Sequence, residues 1–370
     1  MRPINKVAII HDWLTGMRGG EHVLEAIIDC FPGADIFTLF HHQGSVSEKI
    51  SSRVKKTSWL QKIPNVFKFY RKLLPVFPFS IERFDLSEYD LIISSSHCVA
   101  KGIRKPKDAI HISYVHAPMR YMWDRFDDYF SPKRSPWYVR IAAHLFRPYL
   151  QSWDRKSSQE ENVDLLIGNS KFIKNQIKAS YGREASVIYP FANLKRFERA
   201  RDPRSFYLMV GAFAPNKRVD LAIEAFNEIG LTLKVVGRGQ EEQYLKSISK
   251  ENIEFLGALT DAEINILYSQ CKAFIFPGVE DFGITLVEVL AAGSPVIAYQ
   301  EGGALEIVTD LTGMFFKEPT AVSLKEAVLR FESNPNQFFE GACRDRARDF
   351  SRSRFTDQFM LEVNKVLSSR

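Results

Sequence analysis

Short apolar runs alternate with amphipathic segments along the first half of the chain. The amphipathic segments 19–31 and 170–182 have helical length and carry polar residues between their apolar ones. The apolar runs have strand length and are rich in β-branched residues: KVAII (6–10), ADIFTLF (34–40), YDLIISSSH (89–97), AIHISYVH (109–116), VDLLIGNS (163–170) and ASVIYPF (185–191). Strands that are apolar on both faces and alternate with helices are typical of a mostly parallel sheet covered on two sides. The pattern therefore predicts an α/β fold that begins with a Rossmann-like, doubly wound domain.

The same alternation restarts after a charged, Pro-containing stretch at 198–206, ERARDPRSF, which has the character of a linker. In the helix that begins at Val219, apolar residues recur at spacings of three and four, as in a helix that packs one face on a sheet. The new strand-like runs are 206–213, 231–239, 253–259, 272–278, 294–300 and 312–316, and the helical ones 218–230, 241–250, 261–271 and 285–293. We therefore predict a second Rossmann-like domain and a central cleft at the carboxyl ends of both sheets.

The predicted domains are residues 1–198, residues 199–350 and a C-terminal helix over 351–370 that packs back on the first domain. The helical pattern itself extends over 345–370, with Phe355, Phe359, Val363 and Val366 on one face.

A basic and aromatic insert occupies residues 53–83. It interleaves aromatic residues, Trp59, Phe67, Phe69, Tyr70, Phe77 and Phe79, with basic ones: Arg53, Lys55, Lys56, Lys62, Lys68, Arg71 and Lys72. Basic and aromatic side chains on short helices suit a surface that lies on anionic lipid headgroups. The alternative is a solvated helical insert whose aromatic side chains pack on the domain. The pattern alone does not decide between these two interpretations.

Composition restricts the class of protein. With 370 residues, 45% hydrophobic and 25% charged, the sequence predicts a globular protein of two domains. No apolar run approaches the ~20 residues of a membrane-spanning helix, and the N-terminus lacks the pattern of a secretion signal, which favours the cytoplasm. The four cysteines have no metal-binding or disulfide spacing and are predicted to be small buried residues: Cys30, Cys98, Cys271 and Cys343.

The net charge of +6 favours an anionic partner. Nucleic acid, phospholipid and a phosphorylated small molecule all satisfy this condition. The sequence contains no recognisable nucleic-acid-binding motif, so we expect no nucleic-acid partner.

Two glutamates flank a small turn at residues 280–288, EDFGITLVE. A helix that begins between Gly283 and Thr285 presents unpaired N–H groups and the positive end of its dipole, which favours a diphosphate. Glu288, one turn inside that helix, is placed to accept hydrogen bonds from the vicinal hydroxyls of a ribose. Glu280 would hold hydroxyls of a second sugar. The alternative is that both glutamates are solvated surface residues.

The same stretch resembles the motif of two glutamates separated by seven residues in the retaining GT-B glycosyltransferases of family GT4. Other stretches occur in the family's order: GGEHVLE (19–25), KRVDLAIEAF (217–226), VVGRG (235–239), FLGALTD (255–261) and GSPVIAYQEGGALEIV (293–308). The stretches 11–25, 94–103 and 113–124 resemble, more narrowly, bacterial mannosyltransferases that build O-antigen and related surface polysaccharides.

This resemblance implies a GT-B fold and a nucleotide-sugar site with Glu280 and Lys217 in catalytic roles. Lys217 corresponds to the family's phosphate lysine, and a fixed cation there would stabilise a departing nucleoside diphosphate. The predicted nucleotide-sugar residues are Gly19, Gly20, Lys217, Arg218, Gly237, Arg238, Leu259, Phe282, Gly283, Ile284, Thr285 and Glu288. Many family members carry an arginine where this chain has Ala212. Two explanations are open: Arg218 or Arg238 takes over its role, or the diphosphate is held differently.

His116 follows an apolar strand and precedes a proline, which places it at a carboxyl strand end. A lone histidine there is often structural, but the resemblance assigns it a catalytic contact with the donor sugar. Gly19 and Gly20 follow the first strand, where the absent Cβ atoms let the backbone approach a phosphate or an acceptor. Arg120 and Arg18 are predicted acceptor contacts.

These assignments predict a metal-independent retaining glycosyltransferase without a cofactor. The sequence has no Asp-x-Asp triplet and no His/Cys cluster for a divalent ion. The expected reaction transfers mannose from GDP-mannose to a lipid-linked saccharide at the cytoplasmic membrane face. Two alternatives remain: a sugar-nucleotide epimerase on the same scaffold, and a nucleotide-binding protein with little turnover.

Overall fold

The computed structural model describes residues 4–132, 135–200, 202, 205–334 and 337–369, with the backbone only of residue 128. Phe191–Arg354 forms one compact unit, called here the second unit, and the chain before and after it forms the first unit. The division therefore lies after Pro190 rather than after residue 198. The backbone N–H of Ala192 donates to the carbonyl oxygen of Phe350 (3.2 Å), and this bond ties the start of the second unit to its end.

The first unit contains a parallel sheet in the order β3-β2-β1-β4-β5-β6-β7. Strands β4 and β5 follow β1 in this order. All of their residues are buried, as the apolar runs predicted. The strands are β1 Val7–His11, β2 Asp35–Thr38, β3 Val54–Thr57, β4 Leu91–Ser96, β5 Ile110–Val115, β6 Leu165–Gly168 and β7 Ser186–Val187.

Helices connect these strands. The α-helices of the first unit are α1 Gly19–Cys30, α2 Glu48–Ser51, α3 Phe77–Ile81, α4 Phe126–Phe130, α5 Trp137–Ser157 and α6 Lys171–Tyr181. Short 3₁₀ helices cover Trp59–Lys62, Val66–Lys68, Tyr70–Val76 and Ala100–Gly102. Within the described parts of the chain, no helix combines the length and the apolar character needed to cross a membrane.

The basic and aromatic insert is not helical throughout, because Val54–Thr57 pairs with β2 as an edge strand. An edge strand can expose lysines, which Lys55 and Lys56 do. Four of its aromatic side chains pack on the core of the unit: Phe67, Phe69, Tyr70 and Phe77. The other two, Trp59 and Phe79, are 45% and 49% exposed.

The second unit repeats the architecture with the strand order β10-β9-β8-β11-β12-β13, again parallel. Its strands are β8 Phe206–Val210, β9 Thr232–Val236, β10 Ile253–Gly257, β11 Phe274–Phe276, β12 Val296–Tyr299 and β13 Gly313–Phe316. Its helices are α7 Val219–Ile229, α8 Glu242–Ile248, α9 Asp261–Gln270, α10 Ile284–Ala291, α11 Ala304–Ile307, α12 Ala321–Ser333 and α13 Glu340–Arg348, with 3₁₀ helices at Leu194–Phe197 and Pro215–Lys217. The predicted α/β fold with two doubly wound parallel sheets is confirmed.

The C-terminal segment is two helices and not the single one predicted over 345–370. After α13 the chain turns at the buried Phe350, and α14 runs over Arg352–Ser368. The hydroxyl of Ser351 accepts a hydrogen bond from the N–H of Arg354 (3.4 Å), which helps to start the new helix. In the first unit, the ring of Phe355 packs at 5.7 Å on that of Tyr114, and Phe359 and Val363 are buried. Val366 is only partly buried.

Three of the four cysteines are buried as predicted, but Cys30, the last residue of α1, is partly exposed.

The strand orders locate the ligand-binding edges. In the second unit, β8 lies between β9 and β11, so the sheet is built outward from β8 in both directions. In the first unit, β1 lies in the same way between β2 and β4. Ligands of such sheets bind at the carboxyl ends of the strands where the order reverses. The loops after β8 and β11, and those after β1 and β4, are therefore the candidate site segments.

Candidate functional site

The loop between β11 and α10 carries Glu280. It ends at Gly283, whose φ of 94° is in the left-handed region and which caps the helix that begins at Ile284. The predicted start of this helix is thus confirmed. A side chain at Gly283 would be strained by that φ and would approach Leu286 to 3.2 Å. The sequence therefore starts a helix directly after the loop. The first N–H groups of this helix belong to the segment Phe282–Thr285.

Two glycines, Gly302 and Gly303, pack against the backbone of this loop. The N–H of Gly303 donates to the carbonyl oxygen of Glu280 (2.9 Å). A Cβ atom on Gly303 would lie 2.1 Å from the carbonyl oxygen of Phe282, and one on Gly302 would lie 2.6 Å from that of Glu280. The backbone of the Glu280 loop therefore rests directly on these glycines, which fixes the position of the glutamate.

Lys217 approaches the same loop from the neighbouring strand. It ends the 3₁₀ helix after β8, and its ammonium group forms an ion pair with Glu280. The contact requires Gly278, because a Cβ there would lie 2.4 Å from the carbonyl oxygen of Asn216. Both charged side chains are about a quarter exposed, at 26% and 25%. Two residues predicted for one site, 63 positions apart in sequence (280 − 217), thus meet at the strand ends.

Glu288 lies one turn inside α10 and is mostly buried. Burial raises the pKa of its carboxyl group, against the opposing effects of the Arg196 charge and a hydrogen bond from Tyr268. Arg196 is itself 3.1 Å from Asp261 in an ion pair. The sequence interpretation missed Arg196 and Tyr268, since they belong to the Leu194–Phe197 3₁₀ helix and to α9, and no pattern links these elements to the glutamate motif.

The raised pKa gives a testable pH dependence. The ionised carboxylate accepts hydroxyl hydrogen bonds with both oxygens, and more strongly than the protonated acid does, so the affinity for a nucleoside diphosphate should fall with decreasing pH at a higher pH than the ordinary value of 4.5 would give. Glu288→Gln should bind more weakly but lack this component of the pH profile. Calorimetric titration of both proteins between pH 4.5 and 8 measures the difference.

The same shift predicts the sign of the stability change. An acid whose pKa is raised by folding contributes stability at low pH and loses it as the pH rises through the folded value. The ionised form of Glu288 is therefore destabilising relative to the protonated form, and Glu288→Gln should be at least as stable as the wild type in urea unfolding at pH 7. A variant that is both less stable at pH 7 and unchanged in nucleotide affinity would contradict a binding role.

The other predicted residues of the second unit lie around Lys217, Glu280 and Glu288. The guanidinium Nε of Arg218 donates to Asp220 (3.2 Å), so this arginine is engaged at the start of α7. Arg238 lines a separate cavity of about 340 Å³ with Phe213, Gly237 and Lys246 among its walls.

Close contact between two backbone segments requires a glycine at position 237, immediately before Arg238. Gly237 has a φ of 144°, and a Cβ there would lie 1.9 Å from the carbonyl oxygen of Gly211. Leu259, beyond β10, is half-buried, and Ala212, beyond β8, is exposed. The loops after β8 and β9 are therefore packed on each other, with Arg238 as the long side chain of the second loop.

In the first unit, His116 follows β5 and joins a histidine cluster, which we define as His11, His97 and His116. The Ser95 hydroxyl lies 2.8 Å from His116 Nε2 and 3.1 Å from His11 Nδ1 and links the two rings. A Cβ on Gly20 would lie 3.6 Å from His116 Nε2. The start of α1 therefore approaches the imidazole directly.

The third histidine is positioned by a buried carboxylate. Asp12 Oδ2 lies 3.2 Å from His97 Nδ1. The same carboxylate accepts backbone N–H hydrogen bonds of 2.6–3.0 Å from His97, Cys98, Val99 and Ala100. Burial alone would raise the pKa of Asp12, but the charge of His97 and the backbone donors lower it. Asp12 therefore fixes the loop after β4 and the ring at its start.

Burial keeps the imidazoles of His97 and His116 uncharged near neutral pH. It lowers the pKa of His116 to about 3, with a further contribution from the neighbouring His97 and His11. It also lowers the pKa of His97, although the Asp12 carboxylate opposes the shift. A neutral imidazole has one N–H donor and one acceptor nitrogen, so the cluster offers hydrogen bonds to hydroxyl groups at pH 7.

A cavity of about 900 Å³ in the first unit collects most of the residues predicted there. Its lining includes Arg18, Gly20, His116 and Arg120 together with the rest of the histidine cluster. Gly19, the first residue of α1, has open space where a Cβ would be. The sequence interpretation missed His11, Asp12, Glu21, Ser95 and His97. The available signal was that HDW (11–13) and SSSH (94–97) lie at the carboxyl ends of two strands, which prove to be neighbours in the sheet.

Comparisons with known proteins agree with this architecture. Residues 191–350 match the family model described as Glycosyl transferases group 1. An uncharacterized glycosyltransferase of Methanocaldococcus jannaschii is 31% identical over 211 residues, which cover 55% of this chain and 59% of that protein. The O-antigen chain mannosyltransferase C of Escherichia coli is 23% identical over 233 residues, covering 56% of this chain and 62% of that protein. The chain thus spans about three fifths of the length of these curated relatives.

A solved structure extends the comparison to the whole chain. The apo form of the lipopolysaccharide outer core galactosyltransferase WaaB aligns with a TM-score of 0.67 at 16% identity and covers 99% of both chains. At this identity the likeness shows the fold. The chain has the fold of the GT-B glycosyltransferases.

Proposed function

We propose that this chain, whose residues 191–350 belong to the glycosyl transferases group 1 family, transfers a hexosyl residue from a nucleotide sugar to a lipid-linked saccharide. The observation that carries the proposal is the meeting of Lys217 and Glu280 beside the start of α10. A cation, a carboxylate and a set of helix N–H groups are the partners that a sugar diphosphate needs. In the absence of donor, the cation and the carboxylate neutralise each other.

The second unit supplies the donor site in this proposal. The ribose hydroxyls donate to Glu288, and the diphosphate is held by Lys217 and by the N–H groups at the start of α10. Binding of the diphosphate separates Lys217 from Glu280, which then accepts hydrogen bonds from the transferred sugar. A diphosphate is a stronger partner for the lysine because it carries more charge than one carboxylate.

The reaction follows from these positions. The bond between the anomeric carbon and the diphosphate oxygen breaks, and the acceptor oxygen forms the new bond on the same face of the sugar, with retention of configuration. The departing phosphate oxygen takes the proton of the acceptor hydroxyl. Lys217 and the helix N–H groups stabilise the negative charge on the leaving group, so that we infer charge neutralisation by the protein itself without a metal ion.

The first unit supplies the acceptor site. The histidine cluster offers hydrogen bonds to sugar hydroxyls, with His116 as the catalytic contact, and Arg18 and Arg120 suit an anionic acceptor group. We propose mannose from GDP-mannose as the transferred group, because the E. coli relative is named an O-antigen chain mannosyltransferase. The exposed Trp59 and Phe79 and the lysines around them support a peripheral contact with an anionic membrane face.

A transfer assay tests the proposal. The protein is incubated with radiolabelled GDP-mannose, UDP-glucose, UDP-galactose and ADP-glucose in turn, each with prenyl-diphosphate-linked saccharides. We expect label to appear in the lipid fraction from one donor and to disappear with Glu280→Gln. Transfer from no donor, together with no nucleoside diphosphate binding, would overturn the proposal. An NMR time course without acceptor would reveal conversion of the nucleotide sugar itself, the outcome expected of an epimerase.

A further inference from the structure

The 900 Å³ cavity of the first unit is much larger than the histidine cluster requires. Most of its wall is apolar, and the two elements that contribute most lining residues are α5 and the Tyr70–Val76 3₁₀ helix with Phe77. Leu74 and Phe77 line the first wall. Its volume is that of a pocket for a whole organic ligand. The cavity therefore has room for an apolar group in addition to a sugar.

Helix α5 contributes a complete row of its surface to this cavity. Residues at spacing four along a helix lie on one face, and one such row, Tyr138, Ala142, Phe146 and Leu150, lines the cavity. Hydrogen bonds from Arg147 and Gln151 to the carbonyl oxygen of Met122 (3.0 and 2.8 Å) hold the helix against the rest of the wall. The row is therefore a fixed part of the cavity.

The neighbouring row of α5 is apolar and exposed. It consists of Trp137, Ile141, Leu145 and Tyr149, with Trp137 71% and Leu145 73% exposed. Tyr138 and Phe146 belong to both surfaces, since they line the cavity and are also exposed. The cavity thus opens beside an apolar helix face. Contiguous exposed apolar surface of this kind marks contact with a membrane, a ligand or another protein.

Another part of the lining is basic, and it includes Arg71 and Lys72 of the same 3₁₀ helix as Leu74. Four lining residues are Arg or Lys and one, Glu21, is acidic: Arg18, Arg71, Lys72 and Arg120. The ring of Trp13 connects the two regions, with its centroid 4.5 Å from that of His97 and 6.0 Å from that of Phe77. A ligand that carries a hydrocarbon chain, a doubly charged group and a sugar matches this combination of apolar, basic and hydrogen-bonding lining residues.

We propose that the cavity binds the isoprenoid chain of a prenyl-diphosphate-linked acceptor. The chain enters beside the exposed row of α5 and lies between α5 and Phe77. The diphosphate is held by the basic lining residues, and the saccharide reaches the histidine cluster. The acceptor role rests on the proposed function. The binding of the chain itself is measured without any sugar transfer.

Binding of simple prenyl diphosphates tests the proposal. The probes are inorganic diphosphate, isopentenyl diphosphate, farnesyl diphosphate and geranylgeranyl diphosphate below their micellar concentrations, titrated by calorimetry. Burial of each methylene group is worth about a fourfold change in affinity, so farnesyl diphosphate should bind at least about 100-fold more tightly than isopentenyl diphosphate. Equal affinity along the series would overturn the proposal.

A cavity-filling variant locates the effect. Ala142→Trp should weaken farnesyl diphosphate binding about tenfold or more by occupying the space between α5 and Phe77. Ala179→Trp, at an exposed position of α6, is the matched control and should bind like the wild type. Unchanged binding by a folded Ala142→Trp, with GDP affinity and thermal unfolding also unchanged, would overturn the location. The chain-length series on the wild type remains decisive if that variant fails to fold.

Two further probes separate the sources of an apolar chain and the two proposals. Farnesol tests the contribution of the diphosphate and should bind more weakly than farnesyl diphosphate. Dioctanoyl phosphatidic acid represents acyl lipids, and binding as tight as that of farnesyl diphosphate would overturn the isoprenoid assignment. Tight prenyl binding without any nucleoside diphosphate binding would support the cavity while contradicting the proposed glycosyl transfer.

Discussion

Replacement of Lys217 by alanine should lower kcat/KM for sugar transfer by about 30- to 1,000-fold, a loss of about 2–4 kcal/mol of transition-state stabilisation. The ammonium group is fixed beside the start of α10 by its ion pair with Glu280. It therefore needs little reorganisation to meet the charge of a departing diphosphate. Steady-state kinetics with saturating acceptor measure the effect.

The matched control is Lys325→Ala, because Lys325 forms a surface ion pair with Glu228 (2.7 Å) in the same unit. It should leave turnover unchanged. The Lys217 variant should remain folded with only a modest loss of stability, because its ion pair with Glu280 is in partial contact with water. Normal turnover in Lys217→Ala would remove this lysine from the reaction, and a large loss of stability would assign it a structural role instead.

Replacement of Asp12 by alanine should destabilise the first unit by about 3–5 kcal/mol, the cost of removing one partner from a buried charged network. Asp12 is fully buried and satisfies four backbone N–H groups, three of them in the buried residues Cys98, Val99 and Ala100. Without the carboxylate, these buried N–H groups lose their hydrogen-bond acceptor. Urea unfolding followed by tryptophan fluorescence measures the loss.

The control is Asp85→Ala, because the Asp85 carboxylate also accepts a backbone hydrogen bond, from Ser87 (3.1 Å), but is exposed. The effect of Asp85→Ala on stability should be small, because the carboxylate is exposed to water in the folded state. The pKa of Asp12 is below its ordinary value of 3.8, so its contribution is present above pH 3.8 and is lost as the pH falls toward the folded value. The free energies of unfolding of the wild type and of Asp12→Ala should therefore approach each other at acidic pH. An equal effect of both substitutions at pH 7 would contradict the network.

The parts of the site that lie on one continuous segment were predictable from the sequence. The strand, the loop with Glu280, the left-handed Gly283 and the helix with Glu288 follow one another within residues 274–291. Local patterns fix such a segment because the turn, the cap and the helix are neighbours in sequence. The approach of Lys217 to Glu280 required the family resemblance, because periodicity does not reveal that β8 and β11 are adjacent.

The parts that depend on strand order were not predictable. Asp12 and the loop 97–100 are at least 85 residues apart and meet only because β1 and β4 are neighbours in the sheet. Helix α5 escaped prediction because its two apolar rows and its internal Pro148 hide the usual alternation of one apolar and one polar face. The edge strand β3 is rich in lysine, which has a low propensity for strands. Its backbone pairing with β2 stabilises the strand instead.

The central claim is that Glu288 holds the ribose of a nucleoside diphosphate. Calorimetric titration with GDP and with 2′,3′-dideoxy-GDP, on the wild type and on Glu288→Ala, measures it most directly. The wild type should prefer GDP by about 10- to 100-fold, because hydrogen bonds to a charged group contribute about 1.5–3 kcal/mol, and Glu288→Ala should lose that preference. Equal affinities of the wild type for the two nucleotides would contradict the claim.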